Sequence, residues 1–398
     1  MPASAPPPPV RGACPSVVAP MEAADGMLMR VRLPGGTITP AEIQAVADVA
    51  ERFGSGAVEL TARANLQIRG LRPTDVPAAA AHLVRHGLAD ADPERDARRD
   101  VVGSPLTGHD PTELADIGAL VTDVARHLAA APGLEGLPPK FSAVIDDGGA
   151  ASVRGVPADV ALGAVRAVEG RIVVQLELGR PLDDNDGSVA CISVGDIEPL
   201  VVAAAQRCAQ EGKRMEELVT QVGRTELLES LTARTGIHWA PAPRPRAAEA
   251  RIGARAHVRA DRVNLGAAPL LGRTSPAALR SVAALVEDTN AQIRCTPWRG
   301  IVLLGVARAD QATAAAALAR VGFSPDPADP VHRVSACVGL PGCASSRADT
   351  GRAARALLDA PGTLTGRIHL SGCEKRCGAN AERVVVAADD GTFGIGAP

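Results

Sequence analysis

Lysine is almost missing from this chain of 398 residues. Lys140, Lys213 and Lys375 are the only three, and arginine carries nearly all the positive charge. A retained lysine is therefore more informative here than usual, and Lys140 and Lys375 both fall inside motifs. No run of 18 apolar residues occurs, so no transmembrane helix is predicted. The formal net charge of -3 gives no blanket attraction to nucleic acid or to anionic lipid, and neither is an expected partner. Met1 to Val10 lacks the charged region and apolar stretch of a secretory signal, and cytoplasm is the expected compartment. An intact G-x-G-x-x-G is absent too. Gly54-Ser-Gly56-Ala-Val-Glu59 fails at its last position, and it lies between a predicted helix and strand in the wrong order for a dinucleotide site.

Sulfur is present and unevenly spread. Cys14, Cys191, Cys208 and Cys295 stand singly, which suits buried apolar use. The other four form Cys337-Val-Gly-Leu-Pro-Gly-Cys343 and Cys373-Glu-Lys-Arg-Cys377. Two short Cys-bearing loops brought together by an intervening helix and strand supply the four thiolates that a [4Fe-4S] cube needs. Zinc is the competing ligand, but its sites favour Cys-x2-4-Cys knuckles over a five-residue gap. Four buried structural cysteines are a weaker reading, because both pairs sit among glycine and proline turn formers.

The length suggests two or three domains with ample core. After a turn-rich lead-in over residues 1–26, Met27 to Leu33 alternates apolar and basic residues, as a strand with one ligand-facing side would. Thr39-Pro40 supplies an N-cap and a first-turn proline, and Ile43, Val46, Ala47 and Ala50 line one helical face to about Phe53. Strands are predicted near Ala57 to Thr61 and Leu66 to Leu71. The arrangement returns after residue 255, with a strand in His257 to Leu265, a helix from Ser275-Pro276, and strands at Ala291 to Cys295 and Ile301 to Val306. Arg63 lies 23 residues after Pro40, and Arg299 lies 23 after Pro276. That equal offset argues for a duplicated βαββ unit.

Between the repeats, Arg98 to Pro105 leads to Asp110-Pro111, read as the start of an amphipathic helix to about Ala130. Leu137 to Phe141 opens a strand into a turn at Asp146-Asp147-Gly148-Gly149. Val160 to Leu178 reads as a hairpin, Ile197 to about Arg234 as two helices, and Pro241 to Pro245 as a linker. Gln311 to Val321 and Arg352 to Leu358 are helical, Ile368 to Leu370 is a strand delivering the second cysteine pair, and Asp389-Asp390-Gly391 is a closing turn.

Guanidinium groups grip carboxylates through two parallel hydrogen bonds and stay charged. Arg30 and Arg32 on the first strand, Arg63 and Arg69 bracketing Asn65 and Gln67, and Arg99 ahead of Val-Val-Gly form a candidate anion-binding surface. A solvated basic face is the alternative for any one of them. The C-x5-C pair followed by C-x3-C resembles the nitrite and sulfite reductase superfamily, and Thr61-Ala-Arg63-Ala-Asn65-Leu-Gln67-Ile-Arg69-Gly70 looks like its Thr-x-Arg-x-x-x-Gln signature. The resemblance implies an α+β fold in which two ferredoxin-like half-repeats, 27–90 and 255–325, pair across a pseudo-twofold axis. Two α/β domains that bind cluster and tetrapyrrole would complete it, one at 97–240 and a [4Fe-4S]-binding one at 330–398. It also implies that Cys337, Cys343, Cys373 and Cys377 hold the cluster beside a carboxylate-rich tetrapyrrole. Arg30, Arg32, Arg63, Asn65, Gln67, Arg69, Arg99, Lys140 and Arg299 are then its candidate contacts, with Arg63 and Lys140 the candidate catalytic residues. In sirohaem members the last cysteine, here Cys377, also reaches the tetrapyrrole iron.

Leu137-Pro138-Pro139-Lys140-Phe141 resembles the reductases, but the second lysine they carry after the phenylalanine is Ser142 here. A small oxyanion would lose a charge-assisted contact of about 1.5 to 3 kcal/mol. The asparagine usual after the arginine equivalent to Arg99 is Asp100. Arg11-Gly-Ala-Cys14-Pro, Met21 to Leu33, Arg63 to Gly70, Val102-Gly-Ser-Pro-Leu106 and His369-Leu-Ser-Gly-Cys373 instead resemble the precorrin-3B synthase family of aerobic cobalamin synthesis, over nearly the whole chain. Those synthases tend to run Ala-His-Pro after the final cysteine, where this chain has Gly378-Ala379-Asn380. The resemblance implies an oxygen-dependent monooxygenase acting on precorrin-3A and O2, hydroxylating C20 with closure of a γ-lactone. Electrons would come through a separate NAD(P)H-dependent reductase or ferredoxin. A mononuclear non-haem iron is implied as well, with His109, Asp110, Asp146 and Asp147 as candidate ligands, although cap and turn roles suit each of them. A sirohaem-dependent sulfite or nitrite reductase and a non-catalytic tetrapyrrole or cluster-binding protein are the alternatives.

Overall fold

In the computed structural model, which describes residues 14–166, 170–179, 189–191, 193–241, 252–360, 364, 366–379 and 381–394, Thr39 and Glu42 close a capping box with Pro40 in the first helical turn. That stop and start separates strand from helix in the first half-repeat. Its elements are β1 (Met21–Ala23), β2 (Gly26–Val31), α1 (Pro40–Arg52), β3 (Val58–Leu60), β4 (Leu66–Leu71) and α2 (Val76–Arg85). The first α/β domain follows with α3 (Pro93–Ala97), β5 (Val101–Gly103), α4 (Gly118–Ala130), β6 (Ala143–Asp146), β7 (Val160–Arg166), β8 (Ile172–Leu178), β9 (Val189–Cys191), α5 (Ile197–Glu211), α6 (Met215–Val222), α7 (Arg224–Thr235) and β10 (Ala240–Pro241). The second half-repeat has β11 (Gly253–Ala256), β12 (Arg262–Pro269), β13 (Arg273–Thr274), α8 (Pro276–Asp288), β14 (Gln292–Thr296), β15 (Gly300–Ala307), α9 (Gln311–Arg320) and β16 (Phe323–Ser324). The last lobe holds β17 (Val334–Ala336), α10 (Thr350–Asp359), β18 (Ile368–Ser371) and β19 (Arg383–Val386). Arg11, Asn380 and all but the first residue of the expected 241–245 linker lie outside the described residues.

The half-repeats form two antiparallel sheets, ordered β1-β2-β4-β3-β13 and β11-β12-β15-β14. Their inner faces, with α1 and α8, share one core that includes Met29, Ile68, Val282 and Leu303. The repeats join across their boundary twice: β13 of the second pairs with β3 of the first, Arg273 opposite Glu59, and Thr37 of the first makes an isolated bridge to Arg294. The crossing is tight. A Cβ on Gly36 would collide with the Cys295 carbonyl, and one on Gly272 would lie 2.8 Å from the Leu60 carbonyl. Both glycines have left-handed φ, 72° and 71°, a conformation with little penalty only for glycine.

The duplication is real, but its register differs from the one the equal spacing predicts. Pro40 and Pro276 begin helices of 13 residues each, and up to that point positions 236 apart correspond. The second repeat then spends one residue fewer before its next strand. Core-facing Val58 and Leu60 therefore match Ile293 and Cys295, and left-handed Ala64 (φ 57°) matches Arg299 (φ 60°). Arg63 thus corresponds to Trp298, and Arg299 is an arginine without a counterpart in the first repeat.

Three other local expectations are corrected. The helix read from Asp110-Pro111 starts at Gly118, because Asp110 accepts the Thr112 and Ala150 amides while the Leu114 and Ala115 amides donate to the Asp147 carbonyl. Those donors serve the 146–150 loop instead of a first helical turn. Residues 197–235 make three helices, broken at Gly212 (φ 61°) and Gly223 (φ 82°). His257 to Leu265 is not one strand, since His257 Nδ1 accepts the Arg259 amide and turns the chain between β11 and β12.

The closure gives a paired test. Gly36→Ala adds a backbone collision to left-handed strain, whereas Gly56→Ala (φ 79°) meets nothing within 4 Å. We expect losses of about 2 to 4 kcal/mol for the first and about 1 kcal/mol for the second in urea unfolding; equal losses would remove the steric basis of the crossing.

Candidate active site

Strands β17 and β18 are parallel neighbours, so the loops that leave their carboxyl ends start side by side. Cys337 follows β17 directly and its amide donates to the Leu370 carbonyl at 3.0 Å. Gly372 follows β18, and its amide donates to Cys337 Sγ at 3.2 Å. Lys375 Nζ donates to Ser345 Oγ at 3.0 Å and ties one cysteine loop to the other. All four thiols are free. Burial pushes the Cys377 thiol up, and so do the charges of Cys373, Cys337 and Cys343, so the four sulfurs act on one another. A single zinc ion at about 2.3 Å from sulfur would draw its ligands to within about 4 Å of each other. Among the described residues no three His, Cys, Asp or Glu side chains gather closely enough for one ion. Four thiolates on two adjoining loops are the donor set that a [4Fe-4S] cube takes.

Beside these loops a cavity of about 400 Å³ opens between the half-repeats. Arg30, Arg63, Arg69, Arg273 and Arg299 line it together with Cys337 and Cys377. Apolar Met21, Leu28, Leu60 and Leu271 fill the wall between the charges. The arginines are placed by dedicated partners. Arg30 donates to Gln67 Oε1 at 2.7 and 3.1 Å, and Gln67 in turn donates to Glu59. Arg69 makes a two-pronged pair with Asp25 at 2.9 Å and reaches the Gly342 carbonyl. Arg273 donates to the Val338 carbonyl at 2.6 Å and lies 3.5 Å from Glu59.

Arg63 Nε pairs with Asp100 at 2.7 Å, Nη1 donates to the Pro157 carbonyl, and Nη2 is shielded from solvent with no partner. Burial alone would raise the Asp100 carboxyl, but Arg63, then Arg32 and Arg30, hold it below its ordinary range. Burial pulls the Arg30 and Arg299 guanidiniums down, the direction expected for cations kept from water ahead of an anionic ligand.

Of the residues singled out in the sequence, Arg30, Arg63, Asn65, Gln67, Arg69, Arg299, Cys337 and Cys377 come together here. Asn65 is spent on structure, accepting the Leu33 amide and donating to Asp100. Arg32 is sealed against Asp96 at 3.5 Å, 1% exposed. Arg99 pairs with Asp96 and lines a different depression with Arg95 and Arg126. Lys140 is exposed in the 138–141 turn, outside the cavity wall. Arg273 and Glu59 were not singled out; the signal for Arg273 was its place just ahead of the Ser275-Pro276 cap, at the strand that crosses to the other repeat.

The candidate iron ligands are engaged elsewhere. His109 Nδ1 is 3.1 Å from His257 Nε2, Asp146 pairs with Arg154, and Asp147 accepts the Gly149 amide. They provide no ligand set for a mononuclear iron.

The cross-paired half-repeats with a thiol corner on one side are the nitrite/sulfite reductase-like fold. Residues 19–86 and 257–321 each match the nitrite/sulfite reductase ferredoxin-like half domain. The Mycobacterium tuberculosis NirA protein superposes with a TM-score of 0.72 at 23% identity, covering 87% of this chain and 68% of that one. Sulfite reductase [ferredoxin] 2 of Mycolicibacterium paratuberculosis is 27% identical over 88% of this chain and 67% of its own. A precorrin-3B synthase from Sinorhizobium sp is 34% identical over 92% of this chain and 78% of its own. The chain belongs to the precorrin-3B synthase family. No helix among the described residues is long and apolar enough to cross a membrane.

Asp147 yields a pH test. Burial, then the neighbouring Asp146 and Glu113 carboxylates, push its pKa up to about 7 from 3.8. The native state therefore holds this proton more tightly than the unfolded chain does. The stability it contributes is complete below pH 3.8 and is lost as pH rises through about 7. Asp147→Asn should match the wild type near pH 4 and exceed it by roughly 2 to 4 kcal/mol near pH 8 in urea unfolding; parallel curves would contradict the buried, protonated state.

Proposed function

We propose that the protein is a monooxygenase of aerobic cobalamin synthesis that converts precorrin-3A to precorrin-3B. The observation that carries the reading is the arginine-lined cavity opening directly onto the cysteine loops, in a chain 34% identical to a precorrin-3B synthase. One oxygen atom of O2 enters the substrate as the C20 hydroxyl, with an acetate arm closing the γ-lactone. The other leaves as water after two electrons and two protons are delivered.

When bound at Cys337, Cys343, Cys373 and Cys377, a [4Fe-4S] cluster supplies electrons one at a time. The chain's own residues bind and orient. Arg30 and Arg299 meet peripheral carboxylates, and the unpartnered Nη2 of Arg63 takes a third. Leu28, Leu60 and Leu271 exclude water from the ring face. Asp100 fixes Arg63 by its Nε and leaves Nη2 without a partner of its own. Lys140 is exposed outside the cavity wall and takes no part.

With no dinucleotide fingerprint, the electrons come from a separate NAD(P)H-dependent reductase or ferredoxin, and a reducing cytoplasm keeps the thiols free. For the sulfite or nitrite reductase alternative, Asp100 already neutralises the arginine that a small oxyanion would need, and Ser142 replaces a lysine. A sirohaem spectrum in the purified protein would nevertheless move the reading there.

Cys373→Ser should lose the iron and acid-labile sulfide of the wild type, about four of each per chain; unchanged content would remove the cluster. Arg63→Ala should weaken precorrin-3A binding about 5- to 150-fold, equivalent to about 1 to 3 kcal/mol. Failure of the anaerobically purified wild type to turn over precorrin-3A with O2 and a reductase would sink the reaction.

A further inference from the structure

Of the five arginines in the cavity wall, Arg63, Arg69 and Arg273 are each matched by a carboxylate, from Asp100, Asp25 and Glu59. Among the described residues Arg30 and Arg299 have no ion pair, and of these only Arg299 touches the cysteine loops. Its Nη1 lies 3.4 Å from the carbonyl of Ala336, the residue before Cys337. Its Nη2 is 3.0 Å from where a Cβ would stand on Gly378, the residue after Cys377. On the other side Gly272 leaves room for it, since a Cβ there would be 2.7 Å from that of Arg299. The residue is held in left-handed backbone at φ 60°, a conformation that costs a non-glycine residue about 1 to 2 kcal/mol. The equivalent position in the first repeat, Ala64, shares that backbone but has no charge to present. The side chain thus passes Gly272 at its base and Gly378 at its guanidinium, and borders the cysteine loops and the cavity at once.

We infer that Arg299 is a positioning residue that couples the cavity to the cluster electrostatically, one guanidinium shared between a carboxylate of the bound tetrapyrrole and the cluster on the cysteine loops. This rests on the cluster and tetrapyrrole assignments proposed above. A cation beside the cluster favours its more negative, reduced form, and a ligand carboxylate on the same cation cancels that effect. Ligand binding therefore lowers the reduction potential, and reduction weakens ligand binding by the same factor. In function, the cluster is a stronger reductant when substrate is in place and a weaker one when the cavity is empty. That restrains idle reduction of oxygen.

The test is an anaerobic dithionite titration of the reconstituted full chain, followed by electron paramagnetic resonance, with and without saturating uroporphyrin III as an octacarboxylate probe. In the wild type the probe should lower the potential by about 59 mV, the one-electron equivalent of tenfold weaker binding to the reduced form. Arg299→Gln should start lower without probe and respond less than half as much, Arg299→Lys should restore both values, and Arg30→Gln should weaken probe binding while leaving the probe-free potential in place. An unmoved wild-type potential under saturating probe overturns the coupling, and that measurement decides the matter if Arg299→Gln fails to hold a cluster. So does Arg299→Gln with intact iron and sulfide and wild-type behaviour. Failure of the underlying reading looks different: a wild type without iron and sulfide, or without affinity for the probe, overturns both.

Discussion

Two glycines pressed against foreign carbonyls set the geometry on which everything else depends. Gly36 abuts the Cys295 carbonyl and Gly272 abuts that of Leu60, so each half-repeat can pass a strand across the pseudo-twofold axis only where side chains are absent. The crossing at Gly272 puts Arg273 in register with Glu59 and sets Arg299 against the cysteine loops. Without that approach the second repeat would contribute no guanidinium to a cavity whose other arginines belong to the first. The large shared core of the repeats stabilises the crossing, but a core is non-directional and does not specify which arginine faces which loop.

Charge in the cavity is matched rather than merely accumulated. Five guanidiniums in one partly buried wall would repel one another strongly, and Glu59 within the wall together with Asp25 and Asp100 relieves most of that. What remains unmatched is a small number of directed donors, namely Arg30, Arg299 and one nitrogen of Arg63. A ligand with several carboxylates at its rim answers that pattern better than a small oxyanion, which would face several cations at once and satisfy few. The Asp100 position makes the same point locally: with asparagine there, Arg63 would keep its full charge for a small anion.

Much of this was legible in the sequence. The cysteine loops were, because four thiols in two turn-rich clusters leave few physical alternatives. The repeat was too, because the Thr39-Pro40 and Ser275-Pro276 caps are local signals that act regardless of tertiary context. Its register was not. A one-residue difference between helix and strand leaves every local pattern intact and shows only when core-facing Val58 and Ile293 are seen to correspond. Helix starts failed for a related reason, since Asp110-Pro111 is a sound cap whose following amides are taken by the 146–150 loop. Arginine side chains were the least legible. Arg30 lies on β2 and Arg32 just past its end, yet Arg32 is consumed by Asp96, whose position 64 residues away no local pattern reveals.

The duplication also explains why two nearly equivalent sheet faces end differently. Arg30, Gln67 and Arg69 on the first sheet correspond to Gly266, Val302 and Leu304 on the second. Val302 and Leu304 pack with Leu106, Ala151 and Trp298, so the surface equivalent to the cavity is filled by the first α/β domain. Trp298 sits where the first repeat has Arg63, replacing a charge that needs a ligand with a ring that needs a neighbour. Three or four substitutions on one sheet face thus decide between an open arginine-lined cavity and a domain interface. The same exchange fixes the cavity's orientation, because the filled face holds the first α/β domain in place while the polar face is left to meet the lobe that carries the cysteines.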